Sequence, residues 1–468
     1  MPKRDIYLLS AKELSPETIA VAFAKTSRLP DSFRQIASEL TDEKSARFHE
    51  KWVVGYGHAS VAEHAVLHLA IENVSRVAME AIESNRLASY TEKSTRYQKW
   101  DPDAFHIPAE LEDHSLLAQY TATCRDLFAT YAASLEPVRG CVEAQAPRRK
   151  QESEAAWDQR IRSRYVDVCR FLLPASALAN VGMTANGRVL ENAIRKWLSS
   201  PLAEVREIGE AVKQVAQAEL PTLVKYAQAV EYLEKAGRDL ENQETGIGDR
   251  EEGEWCTLVA YDKEAEDKVL AAGLFRFGNM SYQEARARLR EAPAREAVAA
   301  ALLGRLGQHD APVRELEHCV YTFDLIMDQG AYAEFKRHRM MTQSPQILTA
   351  SLGYATPRLV VDAGLGPRYE AQMEAAHSAW EALAQFDPDV AQYVVPNGFN
   401  RRVLATFNLR EAFAFCQLRS AANAHFSIRR VAQRVYEEIA RLHPLLAKYM
   451  RLPDEPWQAI EAEYFDNV

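Results

Sequence analysis

The chain has 468 residues, room for two or three domains of ordinary size, and its 47% hydrophobic and 26% charged content allows each domain a buried core. That balance excludes a wholly disordered, collagen-like or disulfide-scaffold protein. A net charge of −10 gives no general attraction to nucleic-acid phosphate, so an anionic ligand has to meet a local basic site.

At the N-terminus only four apolar residues, Ile6 to Leu9, precede Lys12 and Glu13, too few for a signal peptide. No stretch approaches the roughly 20 apolar residues that cross a bilayer. Six cysteines are scattered without any CxxC pair, which disfavours a zinc site or a disulfide framework. The expectation is a soluble cytoplasmic protein with reduced thiols, no metal, and neither membrane nor nucleic acid as partner.

The first segment of note is GHASVAEH, from Gly57 to His64. Alternation then predicts a half-buried strand, with Leu67, Leu69 and Ile71 on one face and His68 and Glu72 on the other. A helix follows and runs into SNRLASYTEKSTRY, Ser84 to Tyr97, where Arg86, Lys93 and Arg96 are interleaved with Ser89, Ser94 and Thr95. That composition suits charge-assisted binding of phosphate, and a solvated polar loop shares it. Beyond a charge-rich stretch from Trp100 to Ser163 come Arg170 and LLPASALANVGMTANGRVLENAI from Leu172. Val205, Ile208, Val212 and Val215 then have helical spacing.

From Gly237 to Glu254 glycines and acidic residues dominate, with Leu240 and Ile247 as the sizeable apolar side chains, so this stretch reads as a linker. The predicted domains are 1–236, with 237–255 between, and 256–468. The second half repeats the first in degenerate form. Glu63-His64 is matched by Glu317-His318, and the distance from His to the last Arg is 22 residues to Arg86 and 21 to Arg339. Tyr321, Phe323 and Leu325 alternate with Thr322 and Asp324 as a second strand. It leads to FKRHRMMTQSPQ, in which Lys336, Arg337, His338 and Arg339 are contiguous. Twelve residues separate Pro174 from Asn186 and likewise Pro396 from Asn408, and each Asn is followed two positions on by Arg188 or Arg410. Val431, Val435, Ile439 and Leu442 continue the helical spacing, and Lys448-Tyr449 stands four residues after Pro444 as Lys225-Tyr226 does after Pro221. Recurrence in one order points to duplication, with about 32 extra residues in the first copy, placed within 100–163. Each copy reads as helix-rich α+β.

Taken together, these segments resemble the flavin-dependent thymidylate synthase family, in which GHxSxxEH leads through a strand and helix into RHRxxSxNExSxRY. The first copy matches that signature at Arg86, Ser89, Glu92, Ser94, Arg96 and Tyr97 and departs at Ser84, Asn85 and Thr91. The second keeps Arg337-His338-Arg339 and diverges through Thr342, Ser344 and Pro345. RFLLP at Arg170 and TANGRVLEN, Thr184 to Asn192, match later segments of the family, as does TFNLREAFAFCQLR, Thr406 to Arg419; Gln392 stands where Arg170 stands in the first copy.

The resemblance implies two tandem domains, each a small antiparallel sheet packed with long helices. It also implies FAD as cofactor, with NADPH and methylenetetrahydrofolate as co-substrates, and transfer of a one-carbon unit to C5 of deoxyuridine monophosphate (dUMP). Flavin contacts would fall to Arg337, His338 and Arg339, to Asn186, Arg188, Asn192, Asn408 and Arg410, and to His58 and Arg86. Substrate contacts would fall to Glu92, Ser94, Arg96, Tyr97 and Arg170. Arg419 would sit against the pyrimidine and stabilise negative charge, and Trp197 replaces it in the first copy. Because the family assembles as a tetramer, the implied assembly is a homodimer of the duplicated chain, with the first domain's loop meeting the second domain's RHR motif.

Alternatives stay open on the residues alone. Asn186 and Asn408 have the chemistry of helix caps, and Arg170 and Arg188 that of structural ion-pair partners. The histidines of the Glu-His segments could satisfy backbone, and Tyr97, Trp100 and Trp197 could serve packing. Another uridine nucleotide as substrate, or a catalytically decayed flavin- or nucleotide-binding protein, fits the same motifs.

Overall fold

A computed structural model of the chain describes residues 5–94, 100–241, 254–307 and 309–468. The fold is α+β, in two compact units. One comprises Met1–Lys93, Phe105–Leu117 and Ala177–Ile247, and the other Ser94–Ala104, Ala118–Ser176 and Gly248–Val468.

The first unit is built on strands β1 (Val66–Ser75), β2 (Ser89–Glu92) and β3 (Leu178–Asn186), antiparallel in the order β1-β3-β2. β1 is the strand expected after the Glu-His pair, and it buries Leu67 and Ile71 as alternation requires. Ser75 ends the strand and caps the helix Arg76–Glu83, its Oγ accepting from the Ala78 N–H at 2.9 Å. Behind the sheet, Met79, Ile82, Leu190, Ile194 and Trp197 are buried on the helices Arg76–Glu83 and Gly187–Leu198.

The second unit repeats this frame and adds an edge strand. Its sheet has the order β4-β5-β8-β6, from β4 (Cys256–Tyr261), β5 (Val320–Asp328), β6 (Thr342–Pro345) and β8 (Asn400–Asn408). Two short strands, β7 (Thr356–Pro357) and β9 (Phe465–Asn467), pair apart from it. Register is shared between the units: Val66 faces Asn186 as Val320 faces Asn408, and Ser89 faces Thr184 as Thr342 faces Thr406. His68 bonds Thr184 across β1 and β3 at 2.8 Å, and the hydroxyls of Thr322 and Thr406 meet at 2.9 Å in the matching place. Tyr321, Phe323 and Leu325 are fully buried, as predicted, with Val431, Val435 and Ile439.

The compact units divide the chain differently from the sequence boundaries. The helices Leu117–Gln145 and Glu154–Cys169, which the boundary at 236 assigns to the first domain, lie almost wholly in the second unit. Backbone bonds hold the following segment there: Ala175 N–H donates to the Val395 carbonyl at 2.9 Å, and Gly398 N–H to the Phe171 carbonyl at 2.9 Å. Such contacts join residues more than two hundred positions apart and leave no periodic signal. The proposed linker also begins too early. The helix Glu231–Glu241 runs past Gly237, because Leu233, Ala236 and Leu240 keep helical spacing. Residues 242–253 lie outside the described ones.

Candidate functional site

In the second unit, Asp328 ends β5 and caps the helix Gln329–Phe335, accepting from the Ala331 N–H at 2.8 Å. The chain leaves that helix through Arg337, His338 and Arg339, whose side chains separate: His338 is buried, Arg339 half-buried and Arg337 exposed. Asn408 caps the helix Leu409–Arg419, accepting from the Glu411 N–H at 2.9 Å. This sets Glu411 in the first turn and Arg419 at the far end. His338 lies between them, its Nδ1 3.0 Å from Glu411 Oε1 and its Nε2 accepting from Arg419 Nε at 2.9 Å. A guanidinium can only donate, so Nε2 carries the lone pair and Nδ1 the proton. The imidazole is neutral, and burial holds its pKa below the ordinary value despite Glu411.

Arg419 continues the chain of contacts. Its Nη1 donates to Glu334 Oε2 at 2.8 Å, and Arg170 Nη2 stands 3.6 Å from the other oxygen, Oε1. Arg170 also lies 3.7 Å from Asp167, while its carbonyl accepts from Asn397 Nδ2 at 3.0 Å. Side-chain exposure is 9% for Arg170, 12% for Glu334 and 14% for Arg419, so charges here interact in a partly desolvated setting. Burial lowers the Arg419 pKa, Glu334 opposes that, and Arg337 is near enough to lower it further.

The matching positions of the first unit hold none of this charge. Counting from the capping residues Ser75 and Asp328, Ala81 stands for Glu334 and Asn85 for His338; counting from Asn186 and Asn408, Val189 stands for Glu411 and Trp197 for Arg419. Trp197 is buried and donates its indole N–H to the Ala81 carbonyl at 3.0 Å, and Asn85 Nδ2 donates to the Ile82 carbonyl. In place of the network the first unit has packing and local backbone bonds.

What the first unit does have is a cleft of about 610 Å³ beside GHASVAEH and the helix Pro16–Thr26. Gly57, just before the cleft residue His58, has φ +74, a conformation that residues other than glycine rarely adopt. Phe23, Phe48 and Trp52 supply aromatic walls, Lys25 and Arg28 cationic groups, and His58, His64, Ser27 and Ser60 polar edges. Arg28 lies 4.6 Å over the Trp52 ring, and the rings of Phe23 and His64 are 4.8 Å apart. Among the described residues no carboxylate lines the cleft, which suits an anionic ligand with an aromatic ring.

A family model described as thymidylate synthase complementing protein matches residues 8–222 and again 257–445. The chain belongs to this family. A UPF0159 protein of Chlamydia muridarum is 31% identical over 437 residues, covering 89% of this chain and 82% of that one. A UPF0159 protein of Thermoplasma acidophilum is 29% identical, covering 92% and 94%. A flavin-dependent thymidylate synthase of Clostridium tetani is 25% identical over 218 residues, which is 46% of this chain and 82% of that one. Among solved structures, a UMP/dUMP methylase from Streptomyces cacaoi bound with 5-Br dUMP superposes with a TM-score of 0.33 at 20% identity, covering 42% of this chain and 93% of that one.

Residues matching the thymidylate synthase complementing signature fall into three groups. Arg170, His338 and Arg419 meet in one network, with Arg337 and Arg339 at its margin. Of the others, Asn186 and Asn408 cap helices, Arg188 pairs with Glu63, and Arg410 pairs with Glu317 at 3.0 Å in the equivalent place. Glu92, expected at the substrate, forms a buried ion pair with Arg76. His58 lines the cleft, Arg86 and Asn192 are exposed, and Ser94 is half-buried. Arg96 and Tyr97 lie outside the described residues. Nothing in the local sequence singles out Glu334 or Glu411, whose partners Arg419 and His338 lie 85 and 73 positions away. All six cysteines are free, and burial pushes the Cys124, Cys256 and Cys319 thiols up to about 12, leaving those three without thiolate at neutral pH. Among the described residues, no helix is long and apolar enough to cross a membrane.

Proposed function

We propose that this chain is a flavin-dependent enzyme of the thymidylate synthase type, which moves a one-carbon unit from methylenetetrahydrofolate to C5 of dUMP with FAD and NADPH. The observation that carries the reading is the meeting of Arg170 and Arg419 on Glu334, with His338 bonded to Arg419. Arg170 and Arg419, which the resemblance assigns to the pyrimidine nucleotide, and His338, which it assigns to the flavin, come from separate segments of the chain and meet in one partly desolvated cluster. Relatives named as flavin-dependent thymidylate synthases support the flavin, as do the aromatic and cationic lining of the cleft and its freedom from carboxylates.

When bound, the flavin supplies the reducing electrons. The protein's part is binding and electrostatics. Arg419, fixed by His338 on one side and Glu334 on the other, presents a guanidinium that can stabilise negative charge developing on a pyrimidine ring and its carbonyl oxygen. Neutral His338 holds Arg419 without adding a competing positive charge. Arg170 supplies a second cation whose backbone is anchored by Asn397.

We further infer that the two units descend from a duplication and that the first has lost its own copy of the network, since Ala81, Asn85 and Trp197 replace it together. A homodimer is proposed as the assembly, to be checked by light scattering. The test of function begins with the visible absorption spectrum: a flavin chromophore is expected, in the purified protein or after adding FAD. Mixing with methylenetetrahydrofolate, NADPH and dUMP tritiated at C5 is then expected to release tritium. Flavin reduction without release points to a different uridine nucleotide, and a protein that takes up no flavin overturns the reading.

A further inference from the structure

Glu334 sits where its two oxygens serve two different arginines. Oε2 accepts from Arg419 at 2.8 Å, and Oε1 is 3.6 Å from Arg170. A carboxylate in that position presents the same pair of oxygens to guanidinium groups as one edge of a phosphate does. All three side chains keep 9–14% exposure, enough for a ligand to reach them and too little for water to screen them well.

The first unit shows that carboxylate and arginine change together. Ala81 replaces Glu334 and Trp197 replaces Arg419, so neither charge is left behind alone. Arg419 uses one N–H on His338 and one on Glu334, and a guanidinium has five. Donors therefore remain for an uncharged acceptor such as a ring carbonyl, while an incoming dianion has to displace Glu334 or face it.

We propose that Glu334 determines specificity at this site: its carboxylate holds the place between Arg170 and Arg419 that a phosphate group would take, so the arginines accept an uncharged hydrogen-bonding ring and reject a dianion. The identity of the ring rests on the reading of the site as a pyrimidine site; the exclusion of anions does not.

Inorganic phosphate is the probe, titrated at constant ionic strength with thermal unfolding and calorimetry as readouts. The wild-type Tm is expected to be insensitive to phosphate. Glu334→Gln keeps the shape and removes the negative charge that faces both arginines. Arg419 then loses its carboxylate while Arg170 keeps Asp167 at 3.7 Å, and the variant is expected to bind phosphate at least about tenfold more tightly than the wild type and to gain Tm with phosphate concentration. Adding Arg419→Gln to that variant is expected to abolish the gain. An E334Q protein that phosphate does not stabilise, folded or not, overturns the proposal. So does a wild type that binds phosphate as well as E334Q, or a phosphate response that survives R419Q. Failure to release tritium from dUMP would sink the proposed reaction and leave these outcomes untouched.

Discussion

His338 shows how much one hydrogen-bond donor decides. Because Arg419 donates to Nε2, protonating the ring would break that bond and bury a third positive charge beside Arg419 and Arg337. The folded pKa lies below the ordinary histidine value of 6.5, so between the two values the unfolded chain binds more protons and stability falls as pH drops. Replacing His338 by Gln keeps an acceptor for Arg419 and a donor for Glu411 but cannot titrate. Urea unfolding at pH 6.5 and below is expected to show the wild type losing more stability than H338Q. The difference should be limited to about 1.4 kcal/mol per pH unit, the slope of one proton. For Arg419 the expectation concerns rate: Arg419→Ala should reduce tritium release by roughly 10²–10³, as when one preorganised donor to a developing charge is lost, with the far-ultraviolet spectrum unchanged.

Between elements, the two units solve one problem with opposite chemistry. In the first, Ser75 caps the helix Arg76–Glu83, and Glu204 at the second position of the helix Ala203–Ala216 accepts from the Ser75 N–H at 2.7 Å and its hydroxyl at 2.6 Å. In the second, the cap is Asp328, and its partner is Ser427 at the second position of the helix Phe426–Leu442. Carboxylate and hydroxyl have exchanged helices while the buried pair is kept, since two hydroxyls would leave acceptors weaker and two carboxylates would repel. Ser75→Asp alone should therefore cost about 3 kcal/mol or more, and adding Glu204→Ser should restore most of it. Urea midpoints across the four-member cycle measure this coupling. The strands after the two Glu-His pairs and the cap chemistry of the asparagines were legible, because alternation and cap chemistry are local; the other strands and the register were not, since pairing joins distant segments. The exchanged pair was not, since Ser75 and Glu204 are 129 positions apart and neither belongs to a motif.

Across the molecule, the units are not the halves of the sequence. The helices Leu117–Gln145 and Glu154–Cys169 and the turn through Phe171 belong with the second unit, where Phe171 stacks on Phe426 with ring centroids 5.8 Å apart and Pro174 bridges to Pro396. A fragment covering 256–468 alone should expose Tyr393, Phe399 and Phe426, all buried in the full chain. It is expected to aggregate or lack a cooperative melt, while co-expression with 1–255 should give a soluble complex; size exclusion and circular dichroism decide.

By itself, the sequence determined the strands after the two Glu-His pairs, the cap chemistry of Asn186 and Asn408 and the motifs that recur in both units, because periodicity, caps and motif spacing act over a few residues. Tertiary structure alone decided that Arg170 joins the second unit, that Glu334 balances it together with Arg419, and that Arg188 and Arg410 pair with Glu63 and Glu317. Charge compensation in a partly desolvated site depends on distances of a few ångströms between segments far apart in the chain, and no local pattern encodes those distances.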